Sequence, residues 1–433
     1  MDQIKEICNI IRNQNLKVCI DTRSNEIINS IFFGIKGVNY NGSDYWKDAI
    51  KKGAKYVVIE NHKESKKNEK VFCVENTTIT LQRVAKLYRT YFNIPVIGIT
   101  GSNGKTSSKN LISTVLSCKY DVCTTLGNYN NHIGVPLTVL NITKKTEMAV
   151  IEMGANHVGE IKKLCEIAQP NYGVITNIGN AHIGSFGGLQ NIIKAKSEIY
   201  DYLKKTNGTI FVNKKDLILK KKIGKYKKYI HYNYSKLENC NKKNYFQYNI
   251  NPFISIDFNK TSVDTRIFGS YNKINIMLAV EIARYFSIQN SKILKSLENH
   301  SLSENRSEFI QSKNNQIILD AYNANPTSMN IAIQNFLKIK NKSKILVLGD
   351  MHELGKDEIE YHQEIISSLK KKEITEIYLI GKIFQLTKNR IKTIKFKNTQ
   401  DAEFFFKENI IKNSLILIKG SRKMNLEKLV KFF

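Results

Sequence analysis

Strand-like and helix-like runs alternate along most of this 433-residue chain. That alternation predicts an α/β fold with mainly parallel sheets. Two further observations support it. At 94–116, "IPVIGITGSNGKTSSKNLISTVL", a glycine-rich turn joins a buried-strand pattern to a helix pattern. From about 311 onward, four apolar runs each stop at a polar or Gly-containing turn, as open α/β sheets do where they bind ligands. The length exceeds one ordinary core. Three domains are expected: an α/β domain over 1–77, a central phosphate-loop domain over 78–310, and a Rossmann-like domain over 311–433.

The opening "MDQIKEICNI" has charges where a signal peptide would be apolar, so it reads as an amphipathic helix of a cytoplasmic protein. "SIFFGI" and "KYVVIE" read as strands, with "SDYWKDAIKKGA" a helix between them. The helix "TTITLQRVAKLYRTYF" leads out of the first block. In the second block, "PVIGIT", "YDVCTT", "EMAVIEMGA", "NYGVITNIG" and "GTIFVN" are short strands. "GEIKKLCEIA" and "LQNIIKAKSEIYDYLKK" are helices among them. The stretch 214–267 alternates, as in "FISIDF", and predicts an antiparallel addition; "NKINIMLAVEIARYF" returns to helix. The third block repeats strand and turn through "QIILDAYNANPTSM", "SKILVLGDM", "EIYLIGK" and "SLILIKGSR".

Composition excludes some classes. No run of about 18 apolar residues is present, so no membrane-spanning helix is expected. Seven scattered cysteines form no C-x-x-C pair and read as reduced thiols. The net charge of +29 would suit nucleic acid, but only nine of 67 basic residues are Arg. Bidentate phosphate and base recognition favours Arg, so a nucleic-acid partner is not expected. The charge suits anionic small substrates.

The turn Thr100–Thr106, "TGSNGKT", is not a literal Walker A loop, because Ile99 stands where the first glycine belongs. Its physics is the same. Gly101 and Gly104 let the chain wrap with N–H groups inward. The following helix aims its positive end at an anion. Lys105 reaches β/γ phosphates, and Thr106 offers a hydroxyl to Mg²⁺. Glu152 ends an apolar strand like a Walker-B acid, and His182 follows another strand; together they point to a metal site.

"TGSNGKT", "GNYNNHIGVPLTVL", "IEMGANHVGEI", "ITNIGNAHIGSFGG" and "KAKSEIY" resemble the central domain of the Mur ligases. "DAYNANPTSM", "VLGDMHELG" and "IKGSRKM" narrow the likeness to members that add D-alanyl-D-alanine to UDP-N-acetylmuramoyl-tripeptide. "DTRSNEIINSIFFGIKGVNYNGSDY" resembles the family's uridine-nucleotide-binding start.

The resemblance implies an ATP-dependent, Mg²⁺-dependent amide ligase. Thr100, Gly101, Ser102, Asn103, Gly104, Lys105 and Thr106 would hold ATP. Glu152 and Thr106 would bind one metal, and His182 with Lys196, carbamylated, a second. Lys105, Asn131, His182 and Lys196 would form the catalytic set. Asn128 and Asn131 would line the channel to the incoming carboxylate. Asn272 and Asn275 would face adenine, with Tyr271 where the family carries histidine. Arg306 would approach the phosphates and Asp320 the ribose. Tyr322, Asn323 and Asn325 carry the dipeptide signature. Lys419, Ser421 and Arg422 would bind the UDP-substrate or shape the dipeptide site, and Thr22 and Arg23 would contact the UDP end. His157, His352 and His362 are weak candidates for a base. A monomer with only small-molecule partners is expected. The alternatives are a relative adding another amino acid, a folylpolyglutamate-type ligase, or a non-catalytic nucleotide-binding protein. The third residue of the acceptor peptide, diaminopimelate or lysine, stays open.

Overall fold

The computed structural model describes residues 2–60, 68–179, 183–233, 246–250, 253–258, 261–300, 305–341, 343–369, 373–388 and 391–433. The first sheet is parallel, in the order β1 (Lys17–Cys19), β2 (Ser30–Phe33), β3 (Tyr56–Glu60), β4 (Val71–Val74). Its edge strands are three and four residues long. The inner two stand out in the sequence because their apolar runs are continuous: β2 is buried throughout and β3 at its three central positions. Helix Gln3–Gln14 starts at Asp2, whose carboxylate accepts from the Ile4 N–H, and buries Ile7, Cys8 and Ile11.

The central sheet uses β5 (Val96–Thr100), β6 (Val122–Thr124), β7 (Met148–Glu152), β8 (Tyr172–Ile175), β9 (Thr209–Asn213) and β10 (Tyr229–Tyr232). Their spatial order is β10-β9-β8-β5-β7-β6, all parallel. β5, β7 and β9 are buried throughout, as a sheet covered on both faces requires. Tyr229–Tyr232 falls in the stretch expected to be antiparallel, yet it extends the parallel sheet. The antiparallel addition is β11 (Gln247–Ile250), β12 (Phe253–Phe258) and β13 (Thr261–Phe268).

The third sheet contains β14 (Glu308–Gln311), β15 (Gln316–Asp320), β16 (Lys344–Gly349), β17 (Glu376–Ile380), β18 (Ile394–Phe396) and β19 (Leu415–Lys419). The order is β14-β15-β19-β16-β17-β18, parallel except for β14. β14 begins before the boundary expected at 311 and pairs with β15, so it belongs with this sheet. Six described cysteines are unbridged; Cys240 lies outside the described residues.

One apolar core runs from the first sheet (Ile31, Phe33, Val58) into the central one (Val96, Ile151, Val212). Helix Thr77–Arg89 joins the two. At its end Arg89 is buried, and its guanidinium donates to the carbonyls of Phe92, Ile94 and Ala168. Arg89→Met would leave three carbonyls without that donor. It is expected to lower stability by about 2–4 kcal/mol, read as a lower denaturant midpoint at unchanged slope.

Candidate functional site

A cavity of about 770 Å³ opens where the carboxyl ends of β5 and β7 face the third sheet. β5, β7 and β8 are neighbours, and the chain leaves β5 to build both flanks. This is the switch point at which parallel sheets hold ligands.

The loop after β5 wraps tightly. Gly101 and Gly104 have φ of +143° and +76°. A Cβ on Gly101 would lie 2.0 Å from Thr176 Oγ1, so only glycine fits. Not every loop N–H points inward as expected. The Ser102 N–H donates to the Asn177 carbonyl (2.9 Å), and the Asn103 N–H to Asn177 Oδ1 (3.0 Å). Donors for an anion therefore come from the start of helix Lys105–Leu116. Lys105 Nζ folds over the loop onto the carbonyls of Gly101 (2.8 Å) and Ser102 (3.3 Å). Burial first, then the Arg306 charge, pushes its pKa down, while Glu152 opposes them.

Glu152 is 1% exposed. Its Oε1 accepts from Asn130 Nδ2 at 2.7 Å, and its Oε2 is buried without a hydrogen-bond partner. An orphaned carboxylate oxygen is costly. Glu152 and Thr106 both line the cavity, and such an oxygen fits a hard divalent cation such as Mg²⁺. Among the described residues, no three His, Cys, Asp or Glu side chains converge as a metal site of their own. Any metal here would draw further oxygens from its substrate. His182 lies outside the described residues. Lys196 is 2% exposed, donates to the Ala155 carbonyl at 3.2 Å, and lies 5.2 Å from the Phe186 ring centroid. Burial, with Lys105 adding to it, lowers its pKa to about 7.

The opposite wall comes from helix Ser270–Tyr285 and the third domain. Asn272 and Asn275 bond to each other (3.0 Å), and Asn275 also accepts from Ser108 on the phosphate-loop helix. Tyr271 holds Ser307 through its hydroxyl. Asp320 and Lys419 end β15 and β19 in register and form a 2.6 Å ion pair. The Arg306 guanidinium stacks on Tyr322, 3.4 Å from its centroid. Asn128, Asn131, Tyr322 and Asn323 also line the cavity.

Several expected site residues stand off the cavity lining. Thr100 and Gly101 underlie the loop. Asn325 is buried and donates to Asn103 Oδ1 at 2.7 Å. Ser421 accepts from the His352 N–H, and Arg422 pairs with Glu427. Thr22 and Arg23 follow β1, with Arg23 held by Asp21. His362 is fully buried, with both ring nitrogens bonded to backbone; burial pushes its pKa down, which argues against a base.

The Mur ligase middle domain matches residues 99–283, the Mur ligase glutamate ligase domain 305–422, and the Mur ligase catalytic domain 19–94. The UDP-N-acetylmuramoyl-tripeptide–D-alanyl-D-alanine ligase of Bacillus subtilis is 34% identical over 96% of this chain and 92% of its own. The chain belongs to the Mur ligase family. The crystal structure of MurF from Acinetobacter baumannii superposes with TM-score 0.82 at 27% identity, covering 96% of this chain and 92% of that one. MurF from Thermotoga maritima, solved in complex with ADP, gives 0.81 at 25% identity over 96% and 97%.

Within this Mur ligase, some residues escaped the sequence reading. Asn130, not its neighbours Asn128 or Asn131, holds Glu152. Asn131 Oδ1 instead accepts from the Ile133 and Gly134 N–H groups. Lys109, 2% exposed, donates to the carbonyls of Thr125 (2.7 Å) and Gly127 (3.3 Å), tying the phosphate-loop helix to the asparagine loop. Its signal was its place one helical turn after Lys105, on the face that buries Ser108 and Ile112.

Glu152→Gln keeps the Asn130 bond and removes a buried charge. Its thermal midpoint is expected not to fall. The stabilisation given by added Mg²⁺ and ATP, about 2.7 kcal/mol at a hundredfold excess over Kd, is expected to drop by more than half. Thermal unfolding with and without both ligands checks this, and an unchanged gain removes Glu152 from the metal position.

Proposed function

We propose that this Mur ligase joins D-alanyl-D-alanine to UDP-N-acetylmuramoyl-tripeptide at the expense of ATP, releasing ADP and phosphate, in peptidoglycan precursor synthesis. One observation carries the reading. A phosphate loop and a lone buried acid of the central domain share a cavity with Arg306, Asp320, Tyr322, Asn323 and Lys419. The Bacillus relative named for this reaction aligns along nearly the whole chain.

A carboxylate resists amines because its leaving group would be oxide. Transfer of the γ-phosphoryl of ATP to the tripeptide carboxylate makes an acyl phosphate and ADP. The dipeptide amine then attacks the acyl carbon, loses a proton, and expels phosphate as the amide forms. Phosphoryl transfer needs mostly positioning and charge neutralisation. The helix start at Lys105 would orient the phosphates. Lys105 would follow the transferring group, its ammonium restored by phosphate charge. Arg306 would neutralise the same oxygens from the other wall. Asn272 and Asn275 would face adenine, Asp320 the ribose, and Tyr322 and Asn323 the dipeptide. Thr22 and Arg23 would meet the UDP end. Mg²⁺, held by Thr106 and Glu152, supplies charge compensation when bound. The acyl phosphate hydrolyses in water, so seating of the third domain protects it. A monomer acting in the cytoplasm fits these small substrates. Among the described residues no helix is long and apolar enough to cross a membrane.

Lys196 would serve a second metal position as a carbamate, with His182. The neutral amine takes up CO2 and releases one proton, exchanging an ammonium for two oxygens. Burial among Ala155 and Phe186 favours the neutral amine that this step needs. The carbamate, detected as one added CO2 by mass, is expected to decline as pH falls through about 7, because the ammonium does not react. Bicarbonate is expected to restore activity to CO2-stripped protein and to do nothing for Lys196→Ala.

Phosphate release from ATP with UDP-muramoyl-tripeptide tests the whole reading. It is expected to require D-alanyl-D-alanine and to fall about a thousandfold in Lys105→Ala. Release indifferent to the dipeptide overturns it.

A further inference from the structure

Asn325 sits in the run Tyr322–Asn325, whose other residues suggest dipeptide contact. Its own bonds say otherwise. It caps helix Pro326–Leu337: Oδ1 accepts from the Ser328 N–H at 2.9 Å, and its backbone N–H donates to Ser328 Oγ at 3.1 Å. The cap fixes which way the amide faces. Nδ2 is thereby turned toward the central domain, where it donates to Asn103 Oδ1 at 2.7 Å. Asn325 is 4% exposed. Tyr322, Asn323 and Ser328 line the cavity around it, whereas Asn325 does not.

Asn103 is a rigid post. Its N–H donates to Asn177 Oδ1, and its carbonyl accepts from Thr176 Oγ1 (2.7 Å) and Asn177 Nδ2 (2.8 Å). All three bonds root it in the end of β8. On the other side, the 320–325 loop is bound within its own domain. Lys419 Nζ holds both Asp320 and, at 3.4 Å, the Asn323 carbonyl. Wherever Asn325 is placed, Asn323 and Lys419 are placed with it. A second contact braces the same two domains. A Cβ on Gly184 would lie 3.0 Å from the Gly355 nitrogen, so the two backbones touch.

We infer that Asn325 is a positioning residue, whose bond to Asn103 registers the dipeptide-side loop of the third domain on the phosphate loop. This rests on the ligase reading above. The bond joins two rigid parts behind the cavity lining, so it sets the spacing between the amine's wall and the phosphate's wall. Such a bond acts on the reacting geometry more than on dipeptide affinity.

The test is a double-mutant cycle on the full chain, with ATP, UDP-muramoyl-tripeptide and D-alanyl-D-alanine. Asn325→Ser keeps a good helix cap but is too short to reach Asn103. Asn103→Ala removes the acceptor and leaves the backbone bonds of residue 103 in place. Each is expected to lower kcat about tenfold, with KM for the dipeptide changed less than about twofold. The double variant is expected to be no slower than the slower single one, since both remove one interaction. A rise in dipeptide KM at unchanged kcat overturns the inference and makes Asn325 a ligand. Additive losses, or unchanged kinetics in Asn325→Ser, overturn it as well. Dipeptide-independent phosphate release by the unaltered protein would sink the ligase reading instead, a result distinct from these.

Discussion

The hold of Thr176 and Asn177 on the phosphate loop is the constraint on which the site depends. A turn with two glycines at positive φ is unfavourable in isolation. Here four bonds from the end of β8 tie Ser102 and Asn103 to it. The helix can then begin at Lys105 with its free N–H groups facing the cavity. Because β5 lies between β7 and β8, the same sheet brings Glu152 to the other side of the loop. Parallel pairing thus does the first part of the positioning, and side chains refine it.

Buried cations are the second theme. Lys109, Lys196 and Lys419 are each 2% exposed, in a chain whose other lysines mostly face solvent. Isolated buried ammonium groups are costly. Each finds a different answer: backbone carbonyls for Lys109, a carboxylate for Lys419, and a depressed pKa for Lys196. The charge of +29 is therefore two populations. A solvated majority says little about partners, and a few interior lysines organise the site.

Much of this was legible beforehand. The buried strands and the glycine loop stood out as patterns, and Glu152 as an acid closing an apolar run; Asp320 and Lys419 were marked only by the resemblance to the family. Of the three-residue strands, β6 showed only within the longer run "YDVCTT", and the edge strands β1 and β18 did not stand out. Nor did the choice among Asn128, Asn130 and Asn131. Identical side chains in one turn differ only in where the backbone points them. Asn325 shows the same limit: the sequence marks a polar loop but cannot separate a ligand from a helix cap. Tyr229–Tyr232 was misplaced because its neighbours' alternation concealed a parallel partner, β9.

The continuous core between the first and central sheets has a geometric consequence. Ile31, Phe33 and Val58 pack in one cluster with Val96 and Ile151, so the two sheets share a single apolar interior. Through that interior the packing of β2 and β3 sets where their carboxyl ends stand relative to the loop at Lys105. Under the proposed ligase function, a substrate held by the first domain would have to span that distance for its far terminus to reach the loop.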